Sequence, residues 1–269
     1  MKQYHLGVIG AGNMGMAIAR GMVAAGTPSS AILLFNRSPE KRAARAAEGF
    51  AVTEDYVSLY TTCDTVLLAV KPQNFDEVLG RLATVAADCR PLVLSVAAGV
   101  TFAKMQAALG ADCPIIRIMP NTPLMLGEGA TELVKNAAAT DEQLARVRAL
   151  FDTLGVTVVF DAEEKLNDVI PFAGSAPAYI YAFADGMVRS AEKVGIDRED
   201  ALKLFCQTLI GSAKMMLRGD QTPAELVQAV CSPGGTTLEA MKVLRERGLD
   251  EMLDEANRQC IRRAYELGQ

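Results

Sequence analysis

Short apolar runs alternate with segments of helical spacing in the first part of the chain. The apolar runs predict strands over 5–10, 31–36, 64–70, 91–96, 114–119 and 156–160. The intervening spacing predicts helices over 13–25, 39–48, 72–87, 101–109 and 141–153. Apolar strands that alternate with amphipathic helices are typical of a parallel sheet with helices on both faces. We therefore predict an α/β domain over residues 1–162.

The pattern changes after Glu163, beyond which no segment is convincing as a strand. Helical segments are predicted over 175–194, 198–217, 223–229, 236–247 and 250–266. The first of them is apolar or small on nearly every side, which is typical of a helix buried in a core or in a subunit interface. Five helices form a bundle too small to cover it. We therefore predict an all-α domain over 163–269 that holds two copies of the chain together.

The segment "VIGAGNMG" follows the first predicted strand and opens the first predicted helix. Its glycines have the G-x-G-x-x-G spacing, which permits a tight turn, close approach of a pyrophosphate and close helix packing. The N–H groups at the helix start can then bind the phosphates. A glycine-rich turn without a ligand is the alternative. The sequence thus predicts a Rossmann-type dinucleotide site on Gly10, Ala11, Gly12, Asn13, Met14 and Gly15.

The end of the second predicted strand indicates which dinucleotide is bound. Sites that prefer NAD place Asp or Glu there, whereas this chain has Asn36, Arg37 and Ser38. Arg37 can pair with a 2′-phosphate and Ser38 can hydrogen-bond it. This favours NADP(H), although some sites of this type accept NAD(H) as well. The alternative is that Arg37 is a solvated charge at the end of a strand.

Three further loops follow strands of the predicted sheet, over 69–73, 96–100 and 119–123. Ligands of open parallel sheets bind outside the carboxyl ends of the strands, where all three loops are expected. Their small residues leave room for the nicotinamide end of the cofactor. The further cofactor-binding residues predicted here are Ala69, Val70, Lys71, Pro72, Ala97, Ala98, Gly99 and Asn121.

Composition excludes several classes of protein. The net charge of −5 argues against a nucleic-acid surface, and no run of about 18 uninterrupted apolar residues indicates a membrane span. The apolar stretch over 6–19 resembles a signal peptide only loosely, because glycines interrupt it. The six cysteines are scattered without a CxxC, which favours reduced thiols and a cytoplasmic location over a disulfide framework.

The chain has few groups for acid–base chemistry. His5 is its single histidine and lies in the first predicted strand, and no metal-binding motif is present. Alcohol oxidation needs a base to remove a proton, so it fits poorly. A protonated imine is already electrophilic and can accept a hydride without such help. Reduction of an imine in a small-molecule substrate is therefore the favoured reaction.

The segment "CSPGGTT" over 231–237 runs directly into a predicted helix. One hydroxyl would suffice to cap that helix, and two glycines before it are unfavourable unless a ligand must approach the backbone. Free N–H groups at a helix start form an anion site, to which the hydroxyls add donors and acceptors. The segment suits a small carboxylate beside a polar ring atom. An ordinary turn capped by a threonine is the alternative.

Five segments together resemble those of the pyrroline-5-carboxylate reductases, in the same order and at the same spacings. They are "GVIGAGNMGMAIARG", "AVKPQ", "RIMPNTP", "GSAPAY" and "CSPGGTTLEAM". The resemblance covers essentially the whole chain, and the S-P-G-G-x-T element is its specific part. It implies reduction of 1-pyrroline-5-carboxylate to L-proline, the last step of proline biosynthesis. It also implies a helical domain that interlocks two subunits, and dimers that assemble further into rings.

The resemblance also implies roles for individual residues. The residues implied to hold the substrate carboxylate through backbone N–H groups are Gly234, Gly235, Thr236 and Thr237. Thr237 matches a threonine placed by the ring nitrogen, and Ser232 supports its loop. Asp220 matches an acidic residue proposed to relay protons, and Glu163 falls near a further substrate contact. The segment 170–177 departs from the family pattern by lacking a Thr and a first Ser.

Two other functions fit part of the sequence. A 3-hydroxyacid dehydrogenase has the same plan of domains but needs a catalytic lysine in the helical half, and no lysine there lies in a polar motif. An NADP(H)-binding regulator without catalysis would keep the glycine fingerprint, but it would have no use for the "CSPGGTT" segment.

Overall fold

The computed structural model describes residues 3–267. Its strands are β1 (Tyr4–Ile9), β2 (Ile32–Phe35), β3 (Ala51–Thr53), β4 (Cys63–Leu68), β5 (Leu92–Ser95), β6 (Ile115–Pro120), β7 (Gly129–Lys135) and β8 (Gly155–Val159). Its α-helices are α1 (Asn13–Ala24), α2 (Pro39–Ala47), α3 (Tyr56–Thr62), α4 (Phe75–Leu82), α5 (Phe102–Leu109), α6 (Asp141–Asp152), α7 (Lys165–Asp168), α8 (Ala176–Lys193), α9 (Arg198–Leu217), α10 (Pro223–Val230), α11 (Thr236–Glu246) and α12 (Leu249–Leu267).

The strands form one sheet in the order β3-β2-β1-β4-β5-β6-β7-β8. Neighbouring strands are parallel, except that β7 runs antiparallel to β6. This confirms the predicted α/β fold with a Rossmann-type sheet followed by an all-α region. All six predicted strands are present, whereas β3 and β7 were missed. In β7 the buried polar side chains of Thr131 and Glu132 interrupt the apolar pattern on which the prediction relied.

Both faces of the sheet are buried at its central strands, where consecutive residues of one strand contribute to different cores. In β6, Ile116 packs in a cluster with Ile18 of α1 and Phe151 of α6. Its neighbour Ile115 packs on the opposite face, in a cluster with Phe75 of α4. A strand buried on both faces has no polar side to alternate with its apolar one. This is why the strands read as continuous apolar runs.

The described chain beyond β8 is helical up to residue 267, as predicted. The chain divides into two compact units. One contains the described residues up to Ser175 and from Cys260 onward, and the other is Ala176–Gln259. The predicted domain boundary between residues 162 and 163 stays a prediction. Within residues 3–267, no helix combines the length and hydropathy needed to cross a bilayer.

Glu132 is a buried acid in the middle of β7. Its residue surface is only 4% exposed, and it lies opposite Met119 of β6 and Val158 of β8. Its Oε2 atom has no hydrogen-bond partner among the described residues. Burial penalises the charged carboxylate and raises the pKa of Glu132 from 4.5 to about 7. The folded state therefore prefers this acid protonated.

We expect Glu132→Gln to stabilise the protein at pH 8 by roughly 2 kcal/mol, and by much less at pH 5. The pKa of Glu132 is higher in the folded state than in the unfolded state. The stability that the protonated Glu132 allows is therefore fully present below about pH 4.5, and it is lost as the pH rises to about 7 and the buried carboxylate becomes charged. Gln stays neutral throughout. Urea unfolding of both proteins at the two pH values measures this. Glu128→Gln, at an exposed position in the preceding turn, is the control and should leave the free energy of unfolding nearly unchanged.

Candidate cofactor and substrate sites

The predicted cofactor loops follow strands that run in the same direction, so they lie at one edge of the sheet. A cavity of about 490 Å³ opens there. The predicted residues that line it are Gly10, Gly12, Asn36, Arg37, Ala69, Val70 and Lys71. It is large enough for part of a dinucleotide.

The conformation and packing of the chain require glycine at positions 10 and 15 of the fingerprint, but not at position 12. Gly10 has a φ of +101°, and a Cβ there would lie 2.7 Å from the backbone of Ala69. A Cβ on Gly15 would lie 2.6 Å from the carbonyl oxygen of Gly10. A Cβ on Gly12 would meet nothing within 4 Å, and its φ is −83°. The fold therefore has no steric need for glycine at position 12, which leaves room for a ligand beside the backbone.

The start of α1 presents unbonded N–H groups. Gly12 is its N-cap and, having no side chain, provides no capping hydrogen bond. Within the described chain, the backbone N–H groups of Asn13 and Met14 donate no hydrogen bond. Asn36 at the end of β2 fixes the glycine loop, since its amide donates to the carbonyl oxygen of Ala11 at 3.2 Å. This arrangement suits a pyrophosphate on the helix start.

Both residues predicted to bind a 2′-phosphate contact carboxylates. Arg37 Nη2 lies 3.3 Å from Oε2 of Glu77, which comes from α4. The hydroxyl of Ser38 donates to Glu40, and it also caps α2 by accepting from the N–H of Lys41. The sequence at the end of β2 contains no acid. Tertiary packing nevertheless places Glu77 beside Arg37, a contact that local sequence could not show.

An aromatic wall of the candidate cofactor cavity was not predicted. Tyr56 is buried at the start of α3, and its ring meets Phe35 edge-on with centroids 5.0 Å apart. The guanidinium of Arg81 lies over that ring, 4.5 Å from its centroid. All three residues line the cavity. Their separation in sequence, across β2, α3 and α4, hides the cluster from motif-based reasoning.

Two further predicted residues of this unit, Asn121 and Glu163, have internal hydrogen-bond partners. The side-chain amide of Asn121 donates to the carbonyl oxygen of Ala173 at 3.3 Å and accepts from the N–H of Ala130 at 3.0 Å. Glu163 Oε1 accepts from the N–H of Phe102 at 2.6 Å and from Arg117 at 2.7 Å. The Glu163 carboxylate thus holds the start of α5, which follows the predicted loop 97–99. These residues do not line the cavity.

The "CSPGGTT" segment connects α10 to α11 in the second unit. Gly234 has a φ of +70°, which favours glycine, and a Cβ on Gly235 would lie 2.5 Å from the hydroxyl of Ser232. Gly235 is the N-cap of α11 and makes no side-chain capping bond. Within the described chain, the N–H groups of Thr236 and Thr237 donate no hydrogen bond. The helix start is therefore open to an anion, and no threonine caps it.

Thr237 is the predicted substrate-site residue that also lines an apolar cavity of about 460 Å³ within this unit, together with Met215, Gln221 and Met241. Asp220 lies next to Gln221 but does not line the cavity. It is exposed and pairs with Arg218 at 3.4 Å. Among residues 3–267, no cluster of three or more His, Cys, Asp or Glu side chains is placed to hold a metal ion.

A Rossmann-type sheet with this fingerprint, joined to an all-α region, defines an oxidoreductase that uses a nicotinamide dinucleotide. Two family models match the chain. One, described as pyrroline-5-carboxylate reductase dimerisation, matches residues 163–267, and this region points to oligomerisation. The other, described as NADP oxidoreductase, coenzyme F420-dependent, matches residues 5–99.

Relatives and solved structures agree over the full length. The pyrroline-5-carboxylate reductase of Escherichia coli K12 is 38% identical over 264 residues, covering 97% of each chain. That of Pseudomonas aeruginosa is 35% identical, covering 100% of this chain and 98% of its own. The solved Coxiella burnetii enzyme has a TM-score of 0.91 at 33% identity, with 99% of each chain covered. The Plasmodium falciparum enzyme with NADP bound has a TM-score of 0.89 at 25% identity, with both chains fully covered. The chain belongs to the pyrroline-5-carboxylate reductase family.

Proposed function

We propose that this protein reduces 1-pyrroline-5-carboxylate to L-proline with NADPH or NADH. The observation that carries the proposal is the open start of α11, where a glycine N-cap leaves the N–H groups of Thr236 and Thr237 unbonded beside two hydroxyl side chains. Such a site fits a small carboxylate. Membership of the family supplies the identity of that carboxylate.

The first unit is proposed to bind the cofactor. The N–H groups at the start of α1 hold the pyrophosphate, and Arg37 and Ser38 hold the 2′-phosphate of NADP(H). The loops over 69–72 and 97–99 and Asn121 receive the nicotinamide end. The bound cofactor supplies the hydride that adds to the imine carbon.

The second unit is proposed to bind the substrate. The backbone N–H groups of Gly234, Thr236 and Thr237 hold the carboxylate. That of Gly235, which the sequence also suggested, instead donates to the carbonyl oxygen of Ser232 at 2.9 Å, and Ser232 thereby supports the loop. The hydroxyl of Thr237 lies by the ring nitrogen, where it delivers or orients the proton that the nitrogen needs as the C=N bond becomes single. Asp220 relays protons from solvent. Addition to an imine generates no oxyanion, so positioning supplies most of the catalysis.

We further propose that two chains pair through the helical region and that dimers assemble into rings. The helices of the second unit support pairing, because a single chain leaves large apolar side chains exposed along them, among them Tyr181, Leu204 and Leu217. The scattered cysteines support a cytoplasmic location.

The decisive experiment measures NADPH oxidation after 1-pyrroline-5-carboxylate is added to the full-length protein, with proline identified as the product. We expect turnover within the ordinary enzymatic range, about 1–1000 per second. Reactions with 3-hydroxyacids and NADP⁺ run in parallel. Comparable turnover of a hydroxyacid would overturn the imine assignment. Binding of NADPH with no turnover of the imine would favour a regulator.

A further inference from the structure

The guanidinium of Arg37 is shared with a carboxylate inside the cofactor cavity. Arg37 Nη2 and Glu77 Oε2 are 3.3 Å apart, and both residues line the cavity. Their side chains are 73% and 61% exposed, so neither is buried against the protein. Arg37 follows β2, whereas Glu77 lies on α4. The pair therefore joins β2 to α4 at the exposed part of the cavity, where the proposed function places the 2′-phosphate.

The charges that line this cavity are unequal. Four cations line it: Arg37, Lys41, Lys71 and Arg81. Among the described lining residues, Glu77 is the one carboxylate. Arg81 lies over Tyr56 and pairs with Asp55, while Lys41 and Lys71 form no ion pair within the described chain. Glu77 is thus the one lining group that repels a phosphate.

We propose that Glu77 is a specificity-determining residue. Its ion pair with Arg37 lowers the preference of the site for NADPH over NADH. This rests on the proposed function. A 2′-phosphate carries a charge of about −1.5 to −2 at neutral pH and must displace Glu77 from Arg37 or lie beside it. The 2′-hydroxyl of NADH has no such conflict. A carboxylate at this place can instead accept a hydrogen bond from that hydroxyl.

Glu77 thereby supplies from α4 the acid that sites for NAD take from the end of the second strand. That acid is absent from the sequence over 36–38, where Asn, Arg and Ser are found. The site combines a cation for the phosphate with a carboxylate for the hydroxyl. Such a combination predicts an enzyme that accepts both cofactors, with a balance that a single residue can change.

Isothermal titration of the full-length protein with NADPH and with NADH tests the proposal. We expect Glu77→Gln to raise the affinity ratio for NADPH over NADH roughly threefold to tenfold, because an exposed ion pair and one like charge are removed. Asp76→Asn is the matched control. Asp76 is the preceding residue of α4, pairs with Lys104 at 2.7 Å and does not line the cavity. The affinity ratio of the Asp76→Asn variant for NADPH over NADH should stay within about twofold of that of the original protein.

A second pair of variants tests whether Glu77 acts through Arg37. Arg37→Ala alone should weaken NADPH about tenfold and NADH by less than about twofold. In the Arg37→Ala background, Glu77→Gln should then raise the ratio by a clearly smaller factor, because only the like-charge repulsion is left to remove. The proposal is overturned if Glu77→Gln alone leaves the affinity ratio unchanged or lowers it. An unchanged ratio would mean that Glu77 does not occupy Arg37, and a lowered ratio would mean that Glu77 orients Arg37 toward the phosphate. A full gain that persists without Arg37 would also overturn it.

These titrations need no substrate, so they separate this proposal from the proposed reaction. If the protein does not reduce the imine but its cofactor ratio shifts as expected, the reaction is wrong and the role of Glu77 stands. If it reduces the imine but the ratio does not move, the role of Glu77 is wrong and the reaction stands.

Discussion

Replacement of Thr237 by Ala should lower kcat for reduction of 1-pyrroline-5-carboxylate on the order of 100-fold, the low end for loss of a positioned proton donor. Thr237 is the second residue of α11 and lines an apolar cavity whose other hydroxyl and thiol groups are those of Ser212 and Cys231. Ala keeps the backbone N–H and favours the helix. Carboxylate binding should therefore persist, with KM within about threefold and the Kd for NADPH within about twofold. Steady-state kinetics and titration of NADPH measure these quantities.

Two further variants separate the hydroxyl from the fold. Thr237→Ser keeps the hydroxyl and should retain most of the activity. Thr208→Ala removes a hydroxyl that only bonds the preceding turn of α9, and its kinetics should match those of the original protein. Unchanged kinetics in Thr237→Ala would show that this hydroxyl has no chemical role. Equal losses in the Ser and Ala variants would mean that the methyl group, and hence packing, is what matters.

The parts of the fold that sequence could predict are those whose signal is local. The strand β1 and the glycines that follow it lie within a few residues of each other, and strand, turn and helix are each encoded there. The strand β7 could not be found in this way, because its pattern is broken by Glu132, an acid that the fold buries without a partner for its Oε2 atom in the described chain. A pattern of apolar residues cannot predict a strand that violates it.

The same limit applies to the candidate sites. Sequence identified Arg37 because a cation at the end of the second strand has a known use. It could not find Glu77, Tyr56 or Arg81, which reach the cavity from other helices. It also left open whether a threonine caps α11. The structure gives that place to Gly235, which directly follows Gly234 with its φ of +70°.

Replacement of Gly12 by Ala should raise the Kd for NADPH on the order of 100-fold while the protein stays folded. Two charge-assisted hydrogen bonds to a pyrophosphate are at stake, each worth about 1.5–3 kcal/mol. The chain itself accepts the change, because the φ of Gly12 is −83° and a Cβ would meet nothing within 4 Å. Loss of a glycine N-cap costs at most about 1 kcal/mol. Thermal unfolding and titration with NADPH are the two measurements.

Position 12 tests cofactor binding separately from folding, which position 10 would not. Gly10→Ala would also abolish binding, but a φ of +101° and a contact of 2.7 Å with the backbone of Ala69 mean that it would disturb the fold as well. Gly80→Ala is the matched control, since a Cβ at this position in α4 also meets nothing within 4 Å. It should leave the Kd unchanged and stabilise the helix slightly. If Gly12→Ala binds NADPH as tightly as the original protein, no pyrophosphate approaches this backbone. The fingerprint would then be a glycine-rich turn without a ligand.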